Sequence, residues 1–203
     1  MNKNNYIYEY GQKLYINLTN RCSNRCSFCI RNNLDEVNGY NLWLEKEPEA
    51  QEIIALLEQK DLSKYPEVVI CGYGEPTFRI EQLVEIAQYL KSRGAKVRLD
   101  TNGQGNLINN YDIVPKLKGN IDKVSISLNH YNAREYDKIC LSVFGEQGFY
   151  AMLDFAKACK NAGIDTRLTV VDVLKEEDIN KCKQLAQSLG IKLDIRSYID
   201  KKQ

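Results

Sequence analysis

Four glycines set the terms for this fold. Gly94, Gly119, Gly163 and Gly190 each follow a segment with helical spacing and precede a β-rich run. A glycine just past a helix end can take the left-handed conformation that closes the last turn, so each marks a helix-to-strand junction. The runs that follow them are 96–99, 121–128, 166–171 and 192–198, and two earlier runs, 14–18 and 67–71, have the same character. Between the runs lie amphipathic stripes: Ile53, Ile54, Leu56 and Leu57 after Pro48; Leu83, Val84, Ala87 and Leu90; Met152, Phe155, Ala156 and Cys159; Ile179, Cys182, Leu185, Ala186 and Leu189. Their spacing is that of one helical face, and Pro48 sits where a first-turn proline is tolerated. A weaker, shorter helix is expected over 107–117, with Pro115 inside it.

Six strands alternating with helices imply an α/β fold with a parallel sheet and helical crossovers. If the strand order never reverses, right-handed crossovers put all the helices on one side. The expectation is a partial (β/α)6 TIM-type barrel, an open arc of six parallel strands with helices outside. A doubly wound sheet has the same periodicity. In both, chemistry belongs at the C-terminal ends of the strands.

Composition narrows the function. The 203 residues suit one domain, expected to span 1–203 with no accessory C-terminal domain. Lys plus Arg is 28 against 27 Asp plus Glu, so nucleic acid is disfavoured as the main ligand. No apolar run is long enough for a bilayer, and residues 1–12 lack a secretory h-region, so a cytoplasmic protein is expected. Seven cysteines, an odd number, do not read as a disulfide framework in a reducing compartment.

Three of those cysteines stand together after the first strand, as Cys22-x3-Cys26-x2-Cys29. Three thiolates on one short loop form a soft, convergent ligand set. A four-iron cluster held this way keeps one iron open to an outside ligand. A zinc site completed by His130, the lone histidine, also fits the spacing, and a chance group of free thiols is the blandest reading. Arg21, Arg25 and Arg31 are expected to lower the thiol pKa values.

Other strand ends carry polar motifs. The second ends in Cys71-Gly72-Tyr73-Gly74-Glu75-Pro76. Gly72-x-Gly74 lacks the third glycine of a dinucleotide loop, since Thr77 holds that place. What remains is a turn where a ligand can approach the backbone and a carboxylate can hold an ammonium group. The third strand ends in Asp100-Thr101-Asn102-Gly103, which offers side-chain oxygens at a turn. On the fourth, alternation puts Ser125, Ser127 and Asn129 on one face, where they need polar partners from a ligand or from one another. Val171 and Val173 end the fifth strand. Arg196, near the end of the last, is suited to pairing with a ligand carboxylate, or with Asp194 or Glu75. Cys159 and Cys182 read as core residues; the roles of Cys140 and His130 are open.

The cysteine motif, with Phe28 before its last member, resembles the signature of radical S-adenosylmethionine (radical SAM) enzymes. The resemblance implies a 4Fe–4S cluster on Cys22, Cys26 and Cys29, with the amino and carboxylate groups of SAM on the open iron. Reductive cleavage of SAM would yield a 5′-deoxyadenosyl radical that takes hydrogen from a substrate. Tyr73-Gly74-Glu75 is similar to the superfamily's Gly-Gly-Glu motif, which implies contact with the SAM amino group. By the same likeness Asn102, Ser127 and Asn129 would line the ribose, methionine and carboxylate parts of the site, and Val171 or Val173 would pack on adenine. Arg196 would pair with a carboxylate. The absence of a second cysteine cluster after residue 150 argues against auxiliary iron–sulfur clusters.

The likeness extends through 14–31, 41–48, 127–129 and 168–172 to the TatD-associated radical SAM proteins. It implies a functional link to a TatD-family hydrolase, an electron donor of flavodoxin or ferredoxin type, and a small-molecule or protein substrate. Within 41–48, Trp43 is expected either to pack on the following helix or to touch substrate.

Overall fold

The computed structural model describes residues 4–34 and 36–199. In chain order the elements are β1 (Ile7–Tyr10), β2 (Lys13–Ile16), α1 (Ile30–Asn33), α2 (Ala50–Leu57), β3 (Val68–Ile70), α3 (Ile80–Ser92), β4 (Val97–Thr101), α4 (Gly105–Asn109) and α5 (Val114–Leu117). They continue with β5 (Lys123–Ser127), α6 (Ala133–Cys140), α7 (Gln147–Asn161), β6 (Asp165–Val171), α8 (Glu176–Ser188) and β7 (Lys192–Arg196).

One sheet holds all seven strands in sequence order. Strands β2 to β7 pair in parallel, and β1 pairs antiparallel with β2. The order never reverses, so the sheet is an open arc rather than a doubly wound sheet. The expected count of six parallel strands is met; β1 is an additional seventh. A hairpin turn at Gly11, with φ +59°, folds it back on β2. The expected helix over 107–117 is instead two short helices, α4 and α5, separated by the left-handed Asn110. Pro115 lies in the first turn of α5, where its missing N–H costs nothing.

Alternation along each strand separates two environments. Leu14, Ile16, Val97, Leu99, Val124 and Ile126 are fully or almost fully buried in one apolar core with Ile53, Leu83, Leu90, Met152 and Phe155 from the helices. Their neighbours Tyr15, Arg98, Asp100, Lys123 and Ser125 line a cavity of about 530 Å³ on the other face. Burial thus fixes register, because a slip of one residue would drive these charges into the helix layer. The inner face is polar where a closed barrel would be packed with apolar side chains.

Candidate active site

The cysteine loop is built from the chain between β2 and α1 and is pinned at several points. Arg25 donates its N–H to the Cys140 carbonyl at 2.8 Å, and Ser27 to Ile139 at 2.9 Å, so the loop lies along the end of α6. On the other side Glu75 N–H donates to the Arg21 carbonyl at 2.7 Å. Gly74 explains that approach. A Cβ there would lie 2.3 Å from the Thr19 carbonyl oxygen and 2.6 Å from that of Arg21. Only a residue without a side chain lets the turn after β3 slide under the loop.

Side chains complete the clamp. Ser23 Oγ donates to Gln104 Oε1 at 2.7 Å. Gln104 Nε2 donates to Asn24 Oδ1 at 3.1 Å and to the Tyr136 hydroxyl at 2.9 Å. Ser23, Asn24, Gln104 and Tyr136 are all buried, so these bonds satisfy polar groups that water cannot reach. Sequence reasoning missed this network. Its signal was present in Gln104, the residue after the Asp100–Gly103 turn.

Cys22, Cys26 and Cys29 are free and half-buried, and Cys29 lines the cavity. Their pKa values are raised rather than lowered, contrary to the expectation from three arginines. Burial pushes Cys22 up to about 12. For Cys26 a hydrogen bond with the Cys140 thiol and burial both act upward, and for Cys29 burial dominates. Arg31 opposes these shifts but is outweighed. Arg21 turns away: its Nε and Nη2 hold the Glu47 carboxylate at 2.8 and 2.9 Å.

Two geometric facts bear on what the thiols can hold. Among the described residues, no three His, Cys, Asp or Glu side chains converge on one ion-sized point. A zinc ion needs that convergence, with ligands about 2.0–2.3 Å away, whereas a cubane gives each thiolate its own iron and so spreads its ligands. Secondly, His130 is engaged elsewhere. Its Nδ1 accepts the Asn132 N–H at 3.2 Å, its ring stacks on Tyr131, and Nε2 is 4.0 Å from Asp178. Burial lowers its pKa, disfavouring the charged form, against the opposing pull of Asp178 and Glu135. The thiol set suits a cluster, and the proposed zinc ligand is taken.

The other expected site residues fall into two groups. Tyr73, Val171 and Arg196 line the cavity. Tyr73 donates its hydroxyl to the Leu34 carbonyl at 3.0 Å and meets Trp43 edge-on at 5.2 Å. Trp43 therefore packs on this turn, and it remains exposed. Arg196 Nη2 donates to Ser125 Oγ at 2.7 Å and to Asp100 Oδ2 at 3.3 Å. Its carboxylate partner is Asp100, not Asp194 or Glu75.

Glu75, Asn102 and Asn129 lie deeper. Glu75 is buried; Oε1 accepts from Thr77 N–H, Thr77 Oγ1 and Thr101 Oγ1, and Oε2 from Asn102 N–H. Burial raises its pKa against those donors. Asn102 Nδ2 donates to Ser23 Oγ at 2.8 Å and lies 3.9 Å from Cys22 Sγ. Ser127 ends β5, half-buried. Asn129 departs from the strand alternation: its φ is +58°, and its Nδ2 donates to Cys140 Sγ at 3.2 Å.

A profile of the Radical SAM superfamily matches residues 16–189. The chain belongs to that superfamily. Its members are enzymes that use a 4Fe–4S cluster and SAM, which fits the donor set of Cys22, Cys26 and Cys29. Among curated relatives, a Methanocaldococcus jannaschii protein named as a glycyl-radical enzyme activating enzyme is 30% identical over 118 residues, 57% of this chain and 48% of its own. A Thermococcus kodakarensis protein named as a GTP 3′,8-cyclase is 27% identical over 186 residues, 90% of this chain and 55% of its own. The chain thus spans about half the length of these radical SAM relatives. In fold it is similar to Streptococcus suis SuiB bound to S-adenosylmethionine, with TM-score 0.70 and 18% identity over 94% of this chain and 41% of that one. It is also similar to anSMEcpe with bound AdoMet, with TM-score 0.65 and 16% identity over 92% of this chain and 51% of that one.

Proposed function

We propose that this chain cleaves SAM reductively to take a hydrogen atom from a substrate. The observation that carries it is the placement of three free thiols on a loop clamped between the ends of β3, β4 and α6, with Cys29 opening into a cavity that Arg98, Asp100 and Arg196 also line. When bound, the cluster and SAM supply one-electron cleavage of the sulfonium C–S bond and hence the 5′-deoxyadenosyl radical. The chain's own work is binding, orientation and exclusion of water. Cys22, Cys26 and Cys29 hold the cluster. The backbone at Tyr73 and Gly74 and the Glu75 carboxylate hold the SAM amino group. Glu75 accepts four bonds that fix it to Thr77, Thr101 and Asn102, so that carboxylate is already oriented. Asn102, Ser127 and Asn129 line the rest of the SAM site, Val171 faces adenine and Arg196 supplies a cation.

A small-molecule substrate is supported by the size of the cavity, about 530 Å³. The second reading, a protein substrate, rests on the name of the M. jannaschii relative. A cytoplasmic setting, a flavodoxin- or ferredoxin-type electron donor and a link to a TatD-family hydrolase belong to the same reading. The last two are supported by the motif likeness at 14–31 and 41–48. No helix among the described residues is long and apolar enough to cross a membrane.

The test is anaerobic reconstitution with iron and sulfide. About four iron per chain and reductant-dependent 5′-deoxyadenosine are expected. Cys26→Ala should lose both. Unchanged turnover in that variant, or one tightly held zinc in its place, overturns the reading.

A further inference from the structure

Two short stretches of backbone are stitched together behind the cysteine loop. Arg25 and Ser27 give their N–H groups to the Cys140 and Ile139 carbonyls, and Val143 gives its own to the Ser23 carbonyl at 2.9 Å. Cys26 lies between the first two of these bonds. Cys140 is the last residue of α6, and Leu141, which follows it, has φ +47° and ψ +55°. A leucine in the left-handed region is strained, by about 1–3 kcal/mol. The strained turn brings Val143 straight back to Ser23 and holds the end of α6 against the loop.

The stitching sets two sulfurs against each other. The Cys26 and Cys140 thiols share a hydrogen bond, and Asn129 Nδ2 donates to Cys140 Sγ at 3.2 Å. Cys140 is fully buried, whereas Cys26 is half-buried. The other two thiols of the motif are bonded to backbone: Cys22 Sγ accepts the Asn24 N–H at 3.4 Å, and Cys29 Sγ accepts that of Arg31. Cys159 and Cys182 lie in the apolar core on α7 and α8. A disulfide closes readily only between thiols that already oppose one another, because its geometry tolerates little backbone movement.

We propose that Cys26 and Cys140 are a disulfide-forming pair, closed by hydrogen peroxide in protein that carries no iron. The half-buried Cys26 sulfur is oxidised first, to a sulfenic acid, with release of one water. The Cys140 sulfur then attacks it from behind the loop, and the hydroxyl leaves as a second water. Two thiols and one peroxide thus give one disulfide and two waters. The Cys140 bond and burial both keep Cys26 protonated, so the first step is slow. The disulfide takes one of three thiols out of the ligand set, and it stops the oxidation of Cys26 at a stage that a thiol reductant reverses. The pairing rests on the proposed function only in calling Cys26 a cluster ligand.

The experiment starts from reduced, iron-free protein. It is treated with a slight excess of hydrogen peroxide, alkylated, digested without reductant and mapped by mass spectrometry. A peptide pair joined through Cys26 and Cys140 is expected, with loss of two of the seven thiols. Iron uptake on later reconstitution should fall in step with the linkage and return after dithiothreitol. Cys140→Ser keeps an acceptor for Asn129 and removes the partner sulfur, so this reversible loss should disappear. The proposal is overturned if wild type forms a Cys26–Cys29 or Cys22–Cys29 linkage instead, or no linkage at all. It is equally overturned if Cys140→Ser loses and regains iron uptake as wild type does. A Cys26–Cys140 linkage in protein that takes up no iron even when reduced would keep the pair and sink the cluster reading. Iron uptake and 5′-deoxyadenosine formation without the linkage would sink the pair alone.

Discussion

The Glu75 carboxylate accepts the backbone N–H of Asn102 at 2.7 Å, tying the turn after β3 to the end of β4. The same carboxylate takes the Thr77 N–H and both the Thr77 and Thr101 hydroxyls. Two strand ends that face the cysteine loop are thus locked through one buried side chain. Glu75→Ala would leave four donors without an acceptor in a water-free site. A loss of about 3 kcal/mol or more is expected. Chemical denaturation measures it, and a loss below about 1 kcal/mol would show that these bonds do not hold the turn.

Gly74 is the steric counterpart. In Gly74→Ala the new methyl meets two backbone carbonyls, of Thr19 and Arg21, neither of which can swing aside as a side-chain tip would. Overpacking of this kind costs about 2–3 kcal/mol. Because the displaced segment carries Cys22, iron content after reconstitution should fall along with the melting temperature. An alanine variant with full iron loading and wild-type stability would refute the close approach.

Much of this arrangement was legible beforehand, for identifiable reasons. The six parallel strands could be read because Gly94, Gly119, Gly163 and Gly190 all take φ between +61° and +83°, closing helices in the way that marks the next strand. Strand β1 was not legible: of Ile7–Tyr10 only Tyr8 is buried, and the segment pairs on one side alone. Helix α6 was missed because it buries just Ala133, Tyr136 and Cys140 among eight residues. A capping signal was there to find, since the Asn132 side chain accepts the Glu135 N–H at 3.1 Å. The cysteine loop was fully visible as spacing. Its clamp was not, because Gln104 and Tyr136 meet it from 80 and 112 residues away. Arg196 was recognised as a pairing residue, but its partner within the protein, Asp100, was not among the carboxylates named. Asp100 lies on the same face of the sheet, a relation set by barrel curvature rather than by sequence distance.

Tyr136→Phe tests the clamp from the far side. The hydroxyl accepts from Asn24 Nδ2 at 3.2 Å and from Gln104 Nε2 at 2.9 Å. Removing it keeps the ring in the core but strands two buried amide donors. The expected cost is about 1–3 kcal/mol. Gln104→Ala in the Tyr136→Phe background should then cost less than in wild type, because the two residues share a bond. Simple additivity in a double-mutant cycle would mean that the network is not coupled.

Glu47 gives the fold an acid dependence. Burial pushes its pKa up, but bonds from Arg21, Thr19 and Arg79 outweigh this and hold it below the usual value of 4.5. A depressed native pKa means that the stabilisation is present above the unfolded value and fades as pH falls through the native one. Glu47→Gln should therefore be less stable than wild type at pH 7, by about 1 kcal/mol for a partly exposed pair. The two proteins should converge only once pH has fallen below that depressed native value. Melting curves across that range decide it; a difference that stays constant with pH would rule out the ionised carboxylate as its source.

Cys140 sits against Cys26 and accepts Asn129 Nδ2, fully buried behind the loop. It supports one thiol of the motif without taking that thiol's place. Cys140→Ala should cost about 1–3 kcal/mol, because Asn129 is left with an unanswered buried donor. Its iron content after reconstitution should nevertheless stay close to wild type, whereas Cys26→Ala should lose the cluster. Cys140→Ser retains an acceptor for Asn129 and should recover part of the lost stability. Equal loss of iron from the Cys140 and Cys26 variants would make Cys140 a ligand, and the three-cysteine assignment would have to be redrawn around four.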